Sequence, residues 1–300
     1  MEYQIISDGS CDLPEELTKE KNIDVVPFYV SFDGENYKKE MVEIGVRDFY
    51  QEMVDKAGVY PKTSCPSPKD FYDAFEKYAK ENIPVICICI TVKFSGSLQS
   101  AQNARNMILE DYPQAKIEVI NARINTVLQG IYVLEACRLR DAGYTYEESI
   151  ERLKSIRDTG RIFFTIGDLE YLKHGGRIGK LAGIAAAILG VKPLITLKEG
   201  EIFSSGIARS RKKSMCKVID LLLEYLKEVS ADMKEYSLCI GYGYSYEEAE
   251  EFREMALERL KDYGVKEIPM YQIGATIGVH TGPYPIGVGI IKRGEYAELK

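Results

Sequence analysis

Val85-Ile86-Cys87-Ile88-Cys89-Ile90-Thr91 is an uncharged apolar run, and it passes through Val92-Lys93-Phe94 into Ser95-Gly96-Ser97-Leu98-Gln99-Ser100-Ala101. A strand that is apolar on both faces belongs in a sheet covered by helices on both sides. A strand that runs at once into a Gly turn and a helix start is the repeating unit of a parallel sheet. Working outward, residues 3–7, 24–32 and 117–121 read as further strands. Residues 14–21, 46–56, 68–82, 97–111 and 126–142 carry helical periodicity between them. Ser67-Pro68 marks one helix start sharply, with a hydroxyl to cap and a proline at the first helical position.

The second half is more mixed. It opens with a strand at 161–166 and a helix bearing Leu169, Tyr171 and Leu172, and continues with a hairpin, 192–197 and 201–206, around Glu199-Gly200. A helix over 211–229 carries apolar Met215, Val218, Ile219, Leu222 and Leu226. A strand at 236–241, a helix at 246–263 and strands at 267–274 and 286–292 complete it. At 300 residues the chain exceeds what one core usually serves. The expectation is therefore two α/β domains, 1–160 with a largely parallel sheet covered on both faces and 161–300 with a mixed one. No repeat and no Pro/Ser-rich linker separates them, so they should pack closely, with a ligand held in the cleft between them.

Composition excludes several classes. A net charge of −7 repels a phosphate backbone, so nucleic acid is not an expected partner. The one basic cluster, Arg209-Ser210-Arg211-Lys212-Lys213, reads as a solvated helix start. The N-terminus has neither the basic nor the long apolar region of a signal peptide, and the apolar stretch 181–191 is too short to cross a bilayer, so it reads as a buried segment in a cytoplasmic protein. Seven cysteines without a CxxC pair, and only two histidines, give no framework for a metal site, and the thiols are expected to be reduced. A Walker A sequence is absent, and Gly241-Tyr242-Gly243-Tyr244-Ser245-Tyr246 lacks the third glycine of a dinucleotide fingerprint. No cofactor is expected.

Four loops place small or hydroxyl residues at strand mouths or helix starts. In Lys62-Thr63-Ser64-Cys65-Pro66-Ser67-Pro68, Thr63 and Ser64 have no local structural task, although a turn with solvated hydroxyls would read the same. Ser95-Gly96 stands where a helix N-terminus can hold an anion, and a simple capping serine gives the same letters. His174-Gly175-Gly176-Arg177-Ile178-Gly179-Lys180 leads into the Ala-rich run 181–190, which suits either a space beside a helix or tight helix–sheet packing. Ile273-Gly274-Ala275-Thr276-Ile277-Gly278-Val279-His280-Thr281-Gly282-Pro283 puts an imidazole at what reads as the end of an apolar strand.

Taken in order and spacing, these loops resemble the DegV family, bacterial lipid-binding proteins that include the fatty-acid-binding subunits of fatty-acid kinase. The resemblance also rests on Ser7-Asp8-Gly9-Ser10-Cys11-Asp12-Leu13, Gln99-Ser100-Ala101, Leu169-Glu170-Tyr171-Leu172 and Lys192-Pro193. It implies a long-chain fatty acid such as palmitate, stearate or oleate between the domains. The carboxylate would be held by Thr63 and Ser95, with Ser64, Gly96, His280 and Arg177 nearby. It further implies a carrier rather than an enzyme, which takes the acid at a membrane surface and presents it to the ATP-binding subunit of a kinase, with Arg209, Arg211 and Lys212 as a docking patch. Asn121-Ala122 stands where many members have Asp followed by Ser or Thr, and Ser97 replaces a common threonine. Two other readings stay open: an acyl hydrolase or transferase using Ser95 with His280 as base, and a lipid sensor without a kinase.

Overall fold

A computed structural model describes residues 3–181 and 190–299. The first half runs β1 (Gln4–Asp8), α1 (Glu15–Glu20), β2 (Ile23–Val26), β3 (Tyr29–Ser31), β4 (Lys38–Lys39), α2 (Val46–Asp55), β5 (Lys62–Ser64), α3 (Pro68–Lys80), β6 (Val85–Cys89), α4 (Ser97–Asp111), β7 (Ile117–Asn121), α5 (Thr126–Asp141) and α6 (Tyr146–Ile156). The second runs β8 (Arg161–Thr165), α7 (Glu170–His174), β9 (Lys192–Lys198), β10 (Glu201–Ala208), α8 (Arg211–Glu228), β11 (Tyr236–Tyr242), α9 (Tyr246–Leu260), β12 (Met270–Gln272), α10 (Ala275–Thr281) and β13 (Ile286–Lys292). The Ala-rich run expected to be buried falls at 182–189, outside the described residues.

Strands β2-β1-β6-β7 form an all-parallel sheet. Side chains alternate across it as the pleat requires. Ile6, Val85, Cys87 and Cys89 pack with Phe71, Phe75, Leu98 and Ala101 of α3 and α4. Ile5, Ile86 and Ile88 share the opposite core with Leu128 and Tyr132 of α5. The six-stranded sheet, β10-β9-β8-β13-β11-β12, is antiparallel except for β11 and β12. Its outer face is covered by α8 and α9 through Val218, Ile219, Leu222 and Phe252.

Helix α5 lies between the two sheets, in contact with β1, β11 and β13. That position explains a helix buried nearly all round, from Val127 to Leu139. Its approach to the first half is backbone to backbone: a Cβ at Gly130 would lie 2.4 Å from the Cys11 carbonyl oxygen.

Local capping signals fix several boundaries. Ser67 accepts from the Asp70 N–H at 3.2 Å, while the Asp70 carboxylate takes the Ser67 N–H at 2.8 Å, with Pro68 at the first helical position. Helix α6, which the sequence reading does not include, starts with the same device, built from Thr145 and Glu148.

Two expectations are corrected. The strand 24–32 is broken at Pro27, which has no N–H for a ladder. Its second piece, β3, leaves for a small antiparallel sheet β4-β3-β5. The strand 267–274 shrinks to β12, and His280 sits not on a strand but in the last turn of α10. The reason is a partner far away in sequence: the Glu40 carboxylate takes the Thr276 hydroxyl at 2.6 Å and the Thr276 N–H at 3.3 Å, supporting the first turn of a helix. Helix α10 then packs back onto the first half, where Ala275 and Val279 join Val30, Phe49, Tyr50 and Met53.

Candidate functional site

Between the two sheets, beside α5, lies a cavity of about 320 Å³, within the lower part of the range of small-molecule sites. The glycines of the six-stranded sheet make room for it. Gly241 and Gly287 stand opposite one another in the β11–β13 ladder, and both line the cavity together with Gly289. A Cβ at Gly241 would come within 2.9 Å of Val127, and one at Gly289 within 3.1 Å of Leu128. Around this floor the wall is aliphatic and aromatic. Ile90, Leu128, Ile162, Phe164, Leu197 and Ile202 come from both halves of the chain, and Ile273, Ile277 and Ile286 close it.

Polar groups gather where β5, the Ser95 loop, the Arg177 loop and α10 meet. Thr63, Ser64, Ser95, Gly96, Arg177 and His280 all line the same cavity. These six residues, chosen from four separate loops, are brought together. Thr63 is positioned by β5, where it pairs with Val30, and its Oγ1 lies 3.3 Å from His280 Nε2. Ser95 Oγ accepts the Ser97 N–H at 3.1 Å, so it supports the α4 start one residue ahead of the N-cap, Gly96. That serine supports the helix start and also lines the cavity. Ser97 in turn donates to Asp8 Oδ2 at 2.6 Å, and Asp8 also receives the Ile90 N–H and Gln129 Nε2. Burial pushes the Asp8 carboxyl up from its ordinary range. The opening motif thus holds the Ser95 loop from behind.

Arg177 donates through Nε to the Phe94 carbonyl at 3.0 Å and through Nη1 to the Gly175 carbonyl at 2.6 Å, which fixes its guanidinium beside the Ser95 loop. His280 packs on Gly175 so closely that a Cβ there would be 2.1 Å from Nδ1. Nδ1 is buried without a hydrogen-bond partner. Burial, and then the Arg177 charge, lower the imidazole pKa to about 4. A neutral ring, a hydroxyl pair, a helix N-terminus and a guanidinium thus share one corner of the cavity, and such groups have the chemistry to hold an anion. His174, by contrast, is exposed and stacks on Tyr60 at 3.7 Å.

This geometry is not that of a hydrolase pair. His280 Nε2 meets Thr63 rather than Ser95, and its Nδ1 has no acid to orient it. Among the described residues no three His, Cys, Asp or Glu side chains are grouped to hold a metal, and no helix is long and apolar enough to cross a membrane. The cluster Arg209, Arg211 and Lys212 does not line the cavity. Arg211 grips Glu248 through both Nε (2.7 Å) and Nη2 (2.6 Å), Lys212 faces Glu251 at 3.5 Å, and Arg209 is exposed. Asn121 accepts the Arg123 N–H instead of facing the cavity. Sequence reasoning did not single out Cys65, Thr126, Thr276 and Thr281 as cavity residues. Thr126 had no readable signal, since its left-handed backbone (φ 50°) appears only in the fold.

Comparison with known proteins agrees with this architecture. The family model described as "Uncharacterised protein, DegV family" matches residues 2–293. A DegV domain-containing protein of Clostridium perfringens is 31% identical over 98% of this chain and 100% of its own length. One from Caldanaerobacter subterraneus is 33% identical over 95% and 96%. Among solved structures, a stearic acid-binding protein from Eubacterium ventriosum superposes with a TM-score of 0.93 at 42% identity, covering 98% of this chain and 99% of that one. A fatty-acid-binding DegV family protein from Thermus thermophilus gives 0.85 at 28% identity, covering 97% and 100%. With its two sheets, its central helix and its length all matched, the chain belongs to the DegV family.

Proposed function

We propose that the protein binds one long-chain fatty acid, with the acyl chain in the cavity and the carboxylate in the polar corner, and presents that carboxylate to a separate kinase that makes the acyl phosphate. The observation that carries this reading is the meeting of Thr63, Ser95, Arg177 and His280 at one part of a mostly apolar cavity. Burying a methylene contributes about 0.8 kcal/mol, so a chain of about 15 carbons gains on the order of 12 kcal/mol before entropy costs. A carboxylate is costly to bury unless several donors meet it, and the corner supplies them. The fatty-acid-binding relatives with the same fold add support.

In this reading residues 1–160 and 161–300 are the two domains that close on the ligand, the carrier itself does no chemistry, and the acid is collected at a membrane surface. The exposed Arg209 and Lys212 offer charge to a partner, while Arg211 serves Glu248. The test is mass spectrometry of the purified protein under native and denaturing conditions. A stoichiometric C14 to C18 acid, lost in Thr63→Ala/Ser95→Ala, supports the carrier. A protein that is empty and takes up no added fatty acid overturns it. With the acid bound, ATP-dependent acyl phosphate formation that needs both this protein and a kinase subunit separates the kinase-coupled role from a sensor.

A further inference from the structure

Behind the cavity wall two carboxyl groups face each other in the core. Asp12 is 5% exposed and Glu40 2%. Each is tied to the cavity by one hydroxyl: Thr126 Oγ1 donates to Asp12 Oδ2 at 2.6 Å, and Thr276 Oγ1 donates to Glu40 Oε2 at 2.6 Å. Both threonines line the cavity. The other two oxygens converge on the α10 N-cap, since a Cβ at Gly274 would lie 2.3 Å from Asp12 Oδ1 and 2.5 Å from Glu40 Oε1. Asp12 Oδ1 faces the Gly274 N–H without a well-aligned hydrogen bond, and that N–H still favours the charged carboxyl. One turn further along α10, the fully buried Tyr50 hydroxyl lies against Gly278, without a partner.

The charged groups around the pair do not neutralise it. Asp8, at the end of β1, acts on both carboxyls with the same sign. Cys11 beside it is held protonated by burial, its pKa up to about 12. Tyr50, on α2, is raised first by burial and then by Asp12, Glu40 and Tyr242. No ion pair with Lys, Arg or His reaches Asp12 or Glu40 among the described residues. Two carboxyls this close and this dry resist ionising together. Burial and then mutual repulsion raise Asp12, and burial raises Glu40.

We propose that Asp12 and Glu40 hold one proton in common, and that this singly charged pair is the latch that seats α10, with Thr276 and His280, on the first half of the chain. Loss of the last proton drives the two carboxylates apart, so that they no longer meet the Gly274, Ala275 and Thr276 N–H groups together, and frees the first turn of α10 to draw Thr276 and His280 off the cavity. Asp12 and Glu40 are thus positioning residues. Only the ligand arm of the following test rests on the carrier reading.

The test is Asp12→Asn. The carboxamide oxygen keeps the Thr126 bond, the amide group donates permanently, and asparagine tolerates the left-handed backbone that Asp12 adopts (φ 48°). The thermal midpoint of ligand-free protein is followed from pH 6 to 9 at constant ionic strength, with the dissociation rate of a bound fluorescent fatty acid over the same range. The folded pair keeps a proton that the unfolded chain has already released, so stability drains as pH rises until the pair's own titration is passed. Over this range the wild-type midpoint should fall by about 3 °C or more beyond whatever fall Asp12→Asn and Glu40→Gln share through the buried thiols, and wild type alone should release ligand several-fold faster at pH 9. Parallel midpoint curves for wild type and Asp12→Asn overturn the shared proton. So does a wild-type midpoint that rises in sodium chloride but not in tetramethylammonium chloride at equal ionic strength, which makes a metal cation the balancing charge. A pH-dependent midpoint with an unchanged dissociation rate overturns the latch. If no fatty acid binds at all, the carrier reading fails while the midpoint curves still decide the pair.

Discussion

Gly175→Ala tests the polar corner without touching any group that would meet the ligand. Gly175 closes α7 with φ −74° and ψ −5°, a conformation alanine adopts freely, so the backbone has no reason to move. The added methyl would stand 2.1 Å from His280 Nδ1, 2.9 Å from Cε1 and 3.1 Å from the Tyr171 carbonyl oxygen. Non-bonded heavy atoms settle near 3.5–4.0 Å, so the imidazole must retreat by roughly 1 Å or more. Its Nε2 is already 3.3 Å from Thr63 Oγ1. A retreat of that size away from Thr63 takes the pair beyond hydrogen-bond range, and one toward it forces an overlap, so the contact is lost either way.

A hydrogen bond to a charged group contributes about 1.5–3 kcal/mol. Affinity for oleate should therefore fall between roughly tenfold and a hundredfold, measured by competition against a fluorescent fatty acid at pH 7.5. The control is Gly176→Ala. Gly176 has φ +67° but nothing within 4 Å of the added atom, so it should lower the thermal midpoint through backbone strain and leave affinity within a factor of about two. Should Gly175→Ala bind as tightly as wild type while His280→Ala does not, the packing argument is wrong. Should both bind normally, the carboxylate is not held in this corner.

Thr63→Val should weaken fatty-acid binding by about tenfold with little change in stability, whereas Ser95→Ala should do both, because Ser95 also supports the Ser97 N–H at the α4 start; isothermal binding and thermal melts on the pair separate the two effects. Leu197→Phe and Ile202→Phe narrow the apolar wall, and should exclude the longest acids first while a C14 acid still binds, read from a chain-length series. For His280, the folded pKa of about 4 lies below the usual 6.5, so ligand-free protein should lose stability as pH falls from 6.5 toward 4, by at most about 3 kcal/mol and less because the ring is only partly buried. His280→Asn should flatten that slope in urea titrations, and an unchanged slope would assign it to other groups. Gly130→Ala drives a methyl to 2.4 Å from the Cys11 carbonyl, and should cost about 3 kcal/mol or more in urea unfolding.

The parts of the fold that could be read from the sequence are those whose signal is carried within one element. Strand β6 announces two-sided burial through an unbroken apolar run, and α3 announces its start through Ser67/Asp70, whereas α6, opened by Thr145/Glu148, is not among the helices read from periodicity. The errors fall where the deciding partner is remote. Nothing near residue 275 says helix rather than strand, because the carboxylate that supports α10 belongs to Glu40, 236 positions away. The site follows the same rule. Its residues were individually readable as loop hydroxyls, an arginine and a histidine, but the Thr63–His280 contact spans 217 positions. What pairing sequence could not supply is the reason for the buried acids: Asp8, Asp12 and Glu40 read as ordinary polar residues, and only the fold shows that Asp8 ties the Ser95 loop to α5 while the other two meet beneath α10. A polar corner on an apolar cavity needs such backing, because each loop that offers a hydroxyl to a ligand must have its own backbone fixed by something other than the ligand. In this chain buried carboxyls supply that support, so changes to them should reach the cavity without any contact with what it holds.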